Sequence, residues 1–139
     1  MNPADARARF AAGRVARLAT AGAAGAPHVV AVCFALDEDR VYSAVDHKPK
    51  RTRSLRRLAN VAENPAVSLL VDHYEDEDWR RLWWARADGT ARVLDAAEPE
   101  GARALDLLAA RYAPYRERRP EGPVLVVDVA RWSGWSAAG

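Results

Sequence analysis

The sequence predicts a mainly β protein: a small six-stranded antiparallel β-barrel with helices, built as a single domain over residues 1–139. Three observations carry this. Six strand-like apolar runs recur along the chain, and the first three are joined by short turns that suit hairpins rather than crossovers. One long helical stretch stands between the last two runs, with only short helices elsewhere. With half of its 139 residues hydrophobic, the chain can bury a core without disulfide staples.

The elements follow in order. Asn2-Pro3 reads as an N-cap and first helical residue and Gly13 as a stop, so residues 4–12 form a short helix with Ala6 and Phe10 on one face. Residues 14–20 are strand-like, a Gly/Pro-rich turn follows, and 28–36 is a continuous apolar strand. The acidic turn Asp37-Glu38-Asp39 leads to a third strand at 40–45. Leu55, Leu58, Ala59 and Ala62 repeat at helical spacing, with Thr52 as a plausible N-cap, so roughly 53–63 is an amphipathic helix. Asn64-Pro65 ends it, and 66–74 is the fourth strand. Residues 82–95 read as one long strand bulged at Asp88-Gly89, in preference to a hairpin there. Glu98-Pro99 opens the long helix, which places Ala102, Leu105, Leu108, Ala109 and Tyr112 on one stripe and ends near Pro114. A charged loop at 116–122, a last strand at 124–132 and a short tail complete the chain.

Charge is the most informative local feature. The chain carries a net charge of only +2, and its pI near 9.0 does not by itself argue for nucleic acid. Yet six Lys/Arg and no acid lie between Asp46 and Glu63, and the chain's two lysines, Lys48 and Lys50, are both there. The segment falls where a strand stops and a helix starts, a place where cations, a hydroxyl and free N–H groups can converge on an anion. Lys50, Arg51 and Thr52 are therefore candidate phosphate or carboxylate ligands. Arg53, Arg56 and Arg57 read better as the wet face of the amphipathic helix.

The catalytic inventory is thin. No P-loop, Gly-x-Gly-x-x-Gly or Gly-x-Ser-x-Gly motif is present, and His28, His47 and His73 have no metal-ligand spacing. Cys33, in an apolar run, reads as an inert core thiol, and a single cysteine suits a reducing cytoplasmic setting. No run approaches a membrane span of about 20 apolar residues. Any redox chemistry would come from a bound cofactor. Of five tryptophans, the adjacent Trp83 and Trp84 point to opposite faces of a strand. One packs inward; the other is either partly exposed or covered by a second subunit or a planar ligand.

The run Val15-Ala16-Arg17-Leu18-Ala19-Thr20 with its Gly/Pro turn resembles the opening of the pyridoxamine 5′-phosphate oxidase-like split β-barrel family. So do Lys50-Arg51-Thr52-Arg53-Ser54-Leu55-Arg56-Arg57 with Asn64-Pro65-Ala66-Val67, Trp79, and Asp88-Gly89-Thr90-Ala91-Arg92-Val93. Asp46-His47-Lys48-Pro49-Lys50 and Leu82-Trp83-Trp84 are similar to runs in short actinobacterial members classed as probable F420-dependent enzymes. The resemblance implies a split β-barrel of the FMN/F420-binding type and a cytoplasmic homodimer with cofactor sites between subunits. It implies an oxidoreductase passing a hydride between the deazaflavin ring of F420, or FMN in the alternative, and a small organic substrate. A non-catalytic flavin or haem carrier or sensor of the same fold is the other reading, and a histidine would then matter as an axial ligand. By the resemblance, Lys50, Arg51 and Thr52 hold the cofactor phosphate, with Lys48 a further cofactor-binding residue beside them; Ser43, Ala44 and Val45 line the ring through their backbone, and Trp79 approaches from the partner chain. The stretch from Leu55 to Asn64 is a helical turn longer than in many relatives, so Arg57 is an alternative to Arg51.

Overall fold

The computed structural model describes residues 1–45 and 51–139, with backbone alone over 51–55. Helix α1 (Pro3–Ala12) starts as its sequence demands: Asn2 Oδ1 accepts the Asp5 N–H at 2.8 Å, and the Gly13 N–H closes on the Phe10 carbonyl at 3.0 Å. Ala6 and Phe10 are fully buried, on the expected face. Strands β1 (Ala16–Ala21), β2 (Pro27–Val32), β3 (Ala35–Asp37) and β4 (Arg40–Ala44) precede helix α2 (Arg51–Glu63). After it come β5 (Ala66–His73), one 3-10 turn (Trp79–Arg81), β6 (Trp83–Leu94), α3 (Pro99–Arg111), α4 (Ala113–Glu117) and β7 (Val124–Ser136).

The strands form one antiparallel sheet in the order β2-β1-β5-β6-β7-β4-β3. It has seven strands where six are expected, because the apolar run 28–36 divides at Cys33-Phe34. Its first part pairs with β1 (Thr20↔His28) and its second with β4 (Ala35↔Tyr42). These two parts are the outermost strands of the sheet, yet Val32 and Ala35 are only three residue steps apart, a reach of about 11 Å at full extension. The sheet must therefore curl until its edges meet. A barrel split between β2 and β3 is a requirement of chain connectivity.

α3 and its C-cap pin that junction. Tyr112 Oη accepts the buried Phe34 N–H at 3.1 Å and can donate to the carbonyls of Arg14 (2.8 Å) or Phe34 (3.0 Å). The Arg111 guanidinium donates to the carbonyls of Phe34, Ala11 and Gly13, and lies 4.6 Å from the Phe34 ring centroid.

Inside the barrel, Leu18, Leu69, Ala85, Ala87, Leu125 and Val127 pack with Phe10 of α1 and Val61 of α2. Outside, Leu105 and Leu108 of α3 cover Tyr42, Val124 and Val126. The outer face of β2, β1, β5 and the adjoining halves of β6 and β7 has no such cover among the described residues: Val29 is 62% and Trp135 47% exposed.

Several local expectations are corrected. β6 is one long strand as expected, but the register steps from Asp88↔Arg131 to Gly89↔Val129, so the extra residue is Ala130 on β7. A Cβ at Gly89 would collide with the Asp128 carbonyl, which explains the glycine opposite the bulge. β7 runs to Ser136 through what reads as a tail. Gly134 lets it pass under α1, since a Cβ there would lie 2.6 Å from Met1 Sδ and 2.8 Å from the Trp84 carbonyl. The start of the expected 116–122 loop is the end of α4. On α3 the buried stripe is Gly101, Ala104, Leu105 and Leu108, continuing to Tyr112, while Ala102 and Ala109 are half-buried at its edge.

Candidate functional site: the joint between β4 and α2

β4 is held on both faces. Ser43 and Ala44 are buried, and on the outer face Tyr42 Oη donates to Glu100 at 2.9 Å. Burial, with that bond, raises the Tyr42 pKa, so the phenol stays a donor. Arg92 clamps Glu100 through two bonds (2.8 and 3.0 Å) and reaches Asp128 at 2.7 Å. These hydrogen bonds, chiefly those from Arg92, hold the Glu100 carboxyl down at about 2.

The backbone direction at the end of β4 follows from its pairing. The Val45 N–H donates to the Pro123 carbonyl at 3.0 Å, and the register places Ser43 opposite Leu125 and Val41 opposite Val127. Antiparallel pairs alternate, so residues 41, 43 and 45 turn their backbone groups toward β7, and 40, 42 and 44 toward the β3 side. β3 reaches only to the Ala35↔Tyr42 rung. The N–H and C=O of Ala44 thus face the split of the barrel, just past the last rung of β3. Of the three residues expected to line a ring through their backbone, Ala44 turns its N–H and C=O toward the split, and the Val45 N–H is bonded to the Pro123 carbonyl.

α2 begins at Arg51, so Arg51 and Thr52 stand in its first turn, and Thr52 is not the N-cap. That turn reads Arg51-Thr52-Arg53-Ser54, without an acid to oppose an anion. Lys48 and Lys50 lie outside the described residues, as do the side chains of Arg51 and Thr52.

The seat of α2 is a feature that periodicity missed. Its inward side carries Arg57, Leu58, Asn60 and Val61, whereas Ala59 and Ala62, expected there, are exposed. Asn60 is buried and donates to Thr20 Oγ1 at 3.0 Å; Glu63 accepts the Ala23 N–H at 2.7 Å. The β1–β2 turn thereby fixes α2, and so the start of the basic helix. An Asn and a Thr at the right registers are a signal only once the pairing is known. Arg57 is half-buried one turn before Asn60, on the side turned to the barrel, and Arg56 is exposed.

Trp79 sits on the 3-10 turn, 65% exposed, with Asp78 capping that turn through the Arg80 N–H at 3.1 Å. Trp83 lies under Arg9 (5.3 Å) and against His73 (6.2 Å), and packs on the barrel core. Trp84 faces the other way, beside Trp135. The expected division of the pair between two faces is what the structure shows. His73 Nε2 lies 3.3 Å from Glu75, and the half-buried His28 has an enclosed Nδ1 without a hydrogen-bond partner; His47 lies outside the described residues. No group of three or more His, Cys, Asp or Glu among the described residues is placed to hold a metal. No described helix is long and apolar enough to cross a membrane.

The fold is an antiparallel split β-barrel with an uncovered sheet face and a basic strand-to-helix joint. The profile of the pyridoxamine 5′-phosphate oxidase family matches residues 3–136, and the chain belongs to that family. A curated relative, the 5a,11a-dehydrotetracycline/5a,11a-dehydrooxytetracycline reductase of Streptomyces rimosus, is 36% identical over 78 residues. The match covers 56% of this chain and 54% of that one, so it spans about half of the relative's length. Among solved structures, the heme storage protein HutZ of Vibrio cholerae superposes with a TM-score of 0.74 at 15% identity, covering 98% of this chain and 95% of HutZ. An FAD-binding protein of Mesorhizobium loti gives 0.73 at 19% identity, with 96% and 94% covered. At these identities the two structures establish the fold.

Proposed function

We propose that this chain is an oxidoreductase that uses coenzyme F420, with FMN as the alternative, to reduce an unsaturated small organic substrate. It works as a cytoplasmic homodimer with a cofactor site between subunits. The observation that carries this reading is the β4–α2 joint. A buried strand ends with the Ala44 backbone turned to the barrel split, and a 13-residue helix starts a few residues later without an acid in its first turn. Both candidate cofactors present a phosphate and a planar tricycle, and the joint offers a match for each. Lys48, Lys50, Arg51 and Thr52 hold the phosphate with the helix N-terminus, with Arg57 as the alternative cation. Ser43, Ala44 and Val45 border the ring, and Trp79 of the second copy covers it.

The cofactor, when bound, supplies the hydride. The chain binds, orients and excludes water; no side chain is assigned as acid or base. The partial likeness to a dehydrotetracycline reductase supports the reductive direction and suggests a fused-ring, unsaturated substrate. The uncovered sheet face supports the dimer.

Titration of the purified protein with F420 and with FMN, followed by cofactor fluorescence and equilibrium dialysis, tests the proposal. Saturable binding of one of them at micromolar concentration is expected, and binding of neither overturns the reading. A Soret band in the isolated protein, abolished by replacing one histidine, would instead make it a haem carrier.

A further inference from the structure

The split of the barrel has two walls, and β2 is the second of them. β2 pairs only with β1, while β3 pairs with β4, and β4 runs on past the last rung of β3 to Ala44. The free edge of β2 therefore faces the exit of β4 across the split. Helix α2 bridges the same end of the barrel: it starts shortly after β4, and its last residue, Glu63, accepts the Ala23 N–H of the β1–β2 turn at 2.7 Å. His28 stands at that end of β2, directly opposite Thr20, whose hydroxyl accepts from Asn60 of α2 at 3.0 Å. Thr20 and Val32 are buried and Val30 packs on the core. Alternation puts His28 with them on the inward side, beside the seat of α2, and not on the uncovered sheet face that Val29 marks.

The half-buried imidazole has an Nδ1 that is enclosed and has no hydrogen-bond partner, so Nε2 is the nitrogen left open. A neutral imidazole carries its proton on one nitrogen. A proton on Nδ1 would be an enclosed donor with no acceptor, a rarer state in folded proteins than an unfilled acceptor. The proton therefore belongs on Nε2, whose N–H is a donor at the split. A histidine that ligates a metal through Nε2 must instead carry its proton on Nδ1, and such a proton almost always goes to an acceptor. At His28 there is none.

We propose that His28 is a cofactor-contacting residue on the β2 wall, donating through Nε2–H to a carbonyl oxygen of the planar ring, and that it is not an axial ligand for haem. The contact rests on the function proposed above; the tautomer does not. An N–H donor selects an oxygen acceptor, and F420 and FMN both carry carbonyl oxygens on the ring. Ala44 borders that ring from the β4 side of the split, so the residue across from it meets the ring. The phosphate belongs to the basic segment and the first turn of α2. An enclosed polar atom without a partner calls for an explanation, and a ring nitrogen held as the unprotonated half of a working donor supplies one.

The test begins with the unliganded full chain carrying isotope-labelled histidine, at about pH 8, above the ordinary histidine range. Long-range proton–nitrogen spectra tell the two tautomers apart, and His47→Gln and His73→Gln assign the His28 signals by elimination. A single Nε2-protonated form is expected. An Nδ1-protonated ring, or the tautomer mixture of a solvated one, overturns the assignment. F420 and FMN are then titrated by fluorescence. For the cofactor that binds, His28→Phe should weaken binding at least tenfold, and the phosphate-free form of that cofactor should lose the same factor. His28→Gln, whose amide keeps a donor near the Nε2 position, should cost less than threefold. His73→Gln, at the far end of β5, should change binding less than twofold. Where the Phe variant does not fold, the Nε2–H signal of the unmutated chain gives the reading, and bound cofactor must shift it. Binding that is indifferent to His28→Phe, or leaves that signal in place, overturns the contact and leaves the proposed function standing. Binding of neither cofactor overturns the proposed function and the contact together, while the spectrum still decides the tautomer. A Soret band with added haem that His28→Gln abolishes overturns the inference outright.

Discussion

The Tyr112 hydroxyl accepts the buried Phe34 N–H at 3.1 Å, and Phe34 is the second of the two residues that carry the chain from one edge of the barrel to the other. A residue at the end of α3 thus satisfies the backbone of a junction 78 positions away in sequence. Removing the hydroxyl strands a buried donor. Tyr112→Phe keeps the ring and should cost about 1–3 kcal/mol of stability, the range for an unpaired buried polar group. Urea unfolding, with an unchanged slope and a lower midpoint, is the measurement.

The Glu100 clamp predicts acid sensitivity with a definite sign. Arg92 holds the folded-state carboxyl at about 2, below an unfolded value of about 4.3. A depressed carboxylate contributes stability that is fully present above the unfolded value and is lost as pH falls toward 2. Glu100→Gln should lower the melting temperature at pH 7 and have little effect near pH 2, flattening the profile between. Partial exposure screens the pair, so the neutral-pH loss should be near the top of the range for surface ion pairs, about 1 kcal/mol.

Gly89 faces the one-residue bulge of β7 at close range. Gly89→Ala must push β6 from β7 where the two strands form the spine of the sheet, and should cost about 3 kcal/mol or prevent folding. Ala91→Gly, two positions on, should be distinctly milder. Comparison of thermal unfolding for the pair separates the collision from a general effect on the strand.

For the proposed cofactor site, Lys50→Ala should weaken F420 binding by about 1–3 kcal/mol, as expected for a lost charge-assisted hydrogen bond. Arg56→Ala, on the exposed side of α2, should leave it unchanged. Fluorescence titration of both variants reads the difference, and equal losses would move the anion site along the helix.

If the uncovered face joins two copies, Val29 is a sensitive position, being 62% exposed in the isolated chain. Val29→Asp should convert a dimer to a monomer in sedimentation at micromolar concentration. A chain that is already monomeric, or a dimer indifferent to the change, would place the interface elsewhere.

What could be read from the sequence was local. Asn2, Pro3 and Gly13 mark α1 because capping chemistry is written in three residues, and Asp88-Gly89 marks the bulge because glycine is needed where backbones crowd. The division of 28–36 was hidden because its residues are apolar on both sides of Cys33-Phe34, with no Gly or Pro to show where pairing changes. The inward side of α2 was misplaced for a related reason: periodicity selects apolar residues, whereas Asn60 is buried because Thr20 meets it. Ser133, Gly134 and Ser136 looked like a tail, yet small residues there let β7 pass beneath α1. At the candidate site, the basic segment could be read from charge alone. The turn of the Ala44 backbone toward the split depends on the register with β7, and register is a property of two strands together.

The meeting of β2 and β3 also has a dynamic meaning. An ordinary sheet frays from its outermost strands independently, so their amides exchange with solvent at unrelated rates. Here the two outermost strands are one stretch of chain, interrupted by two residues. Peeling β2 from β1 pulls on β3, and freeing β3 from β4 disturbs the ground beside Ala44. In hydrogen exchange the two edges should open together, as a single cooperative unit whose protection rises when the joint beside it is filled.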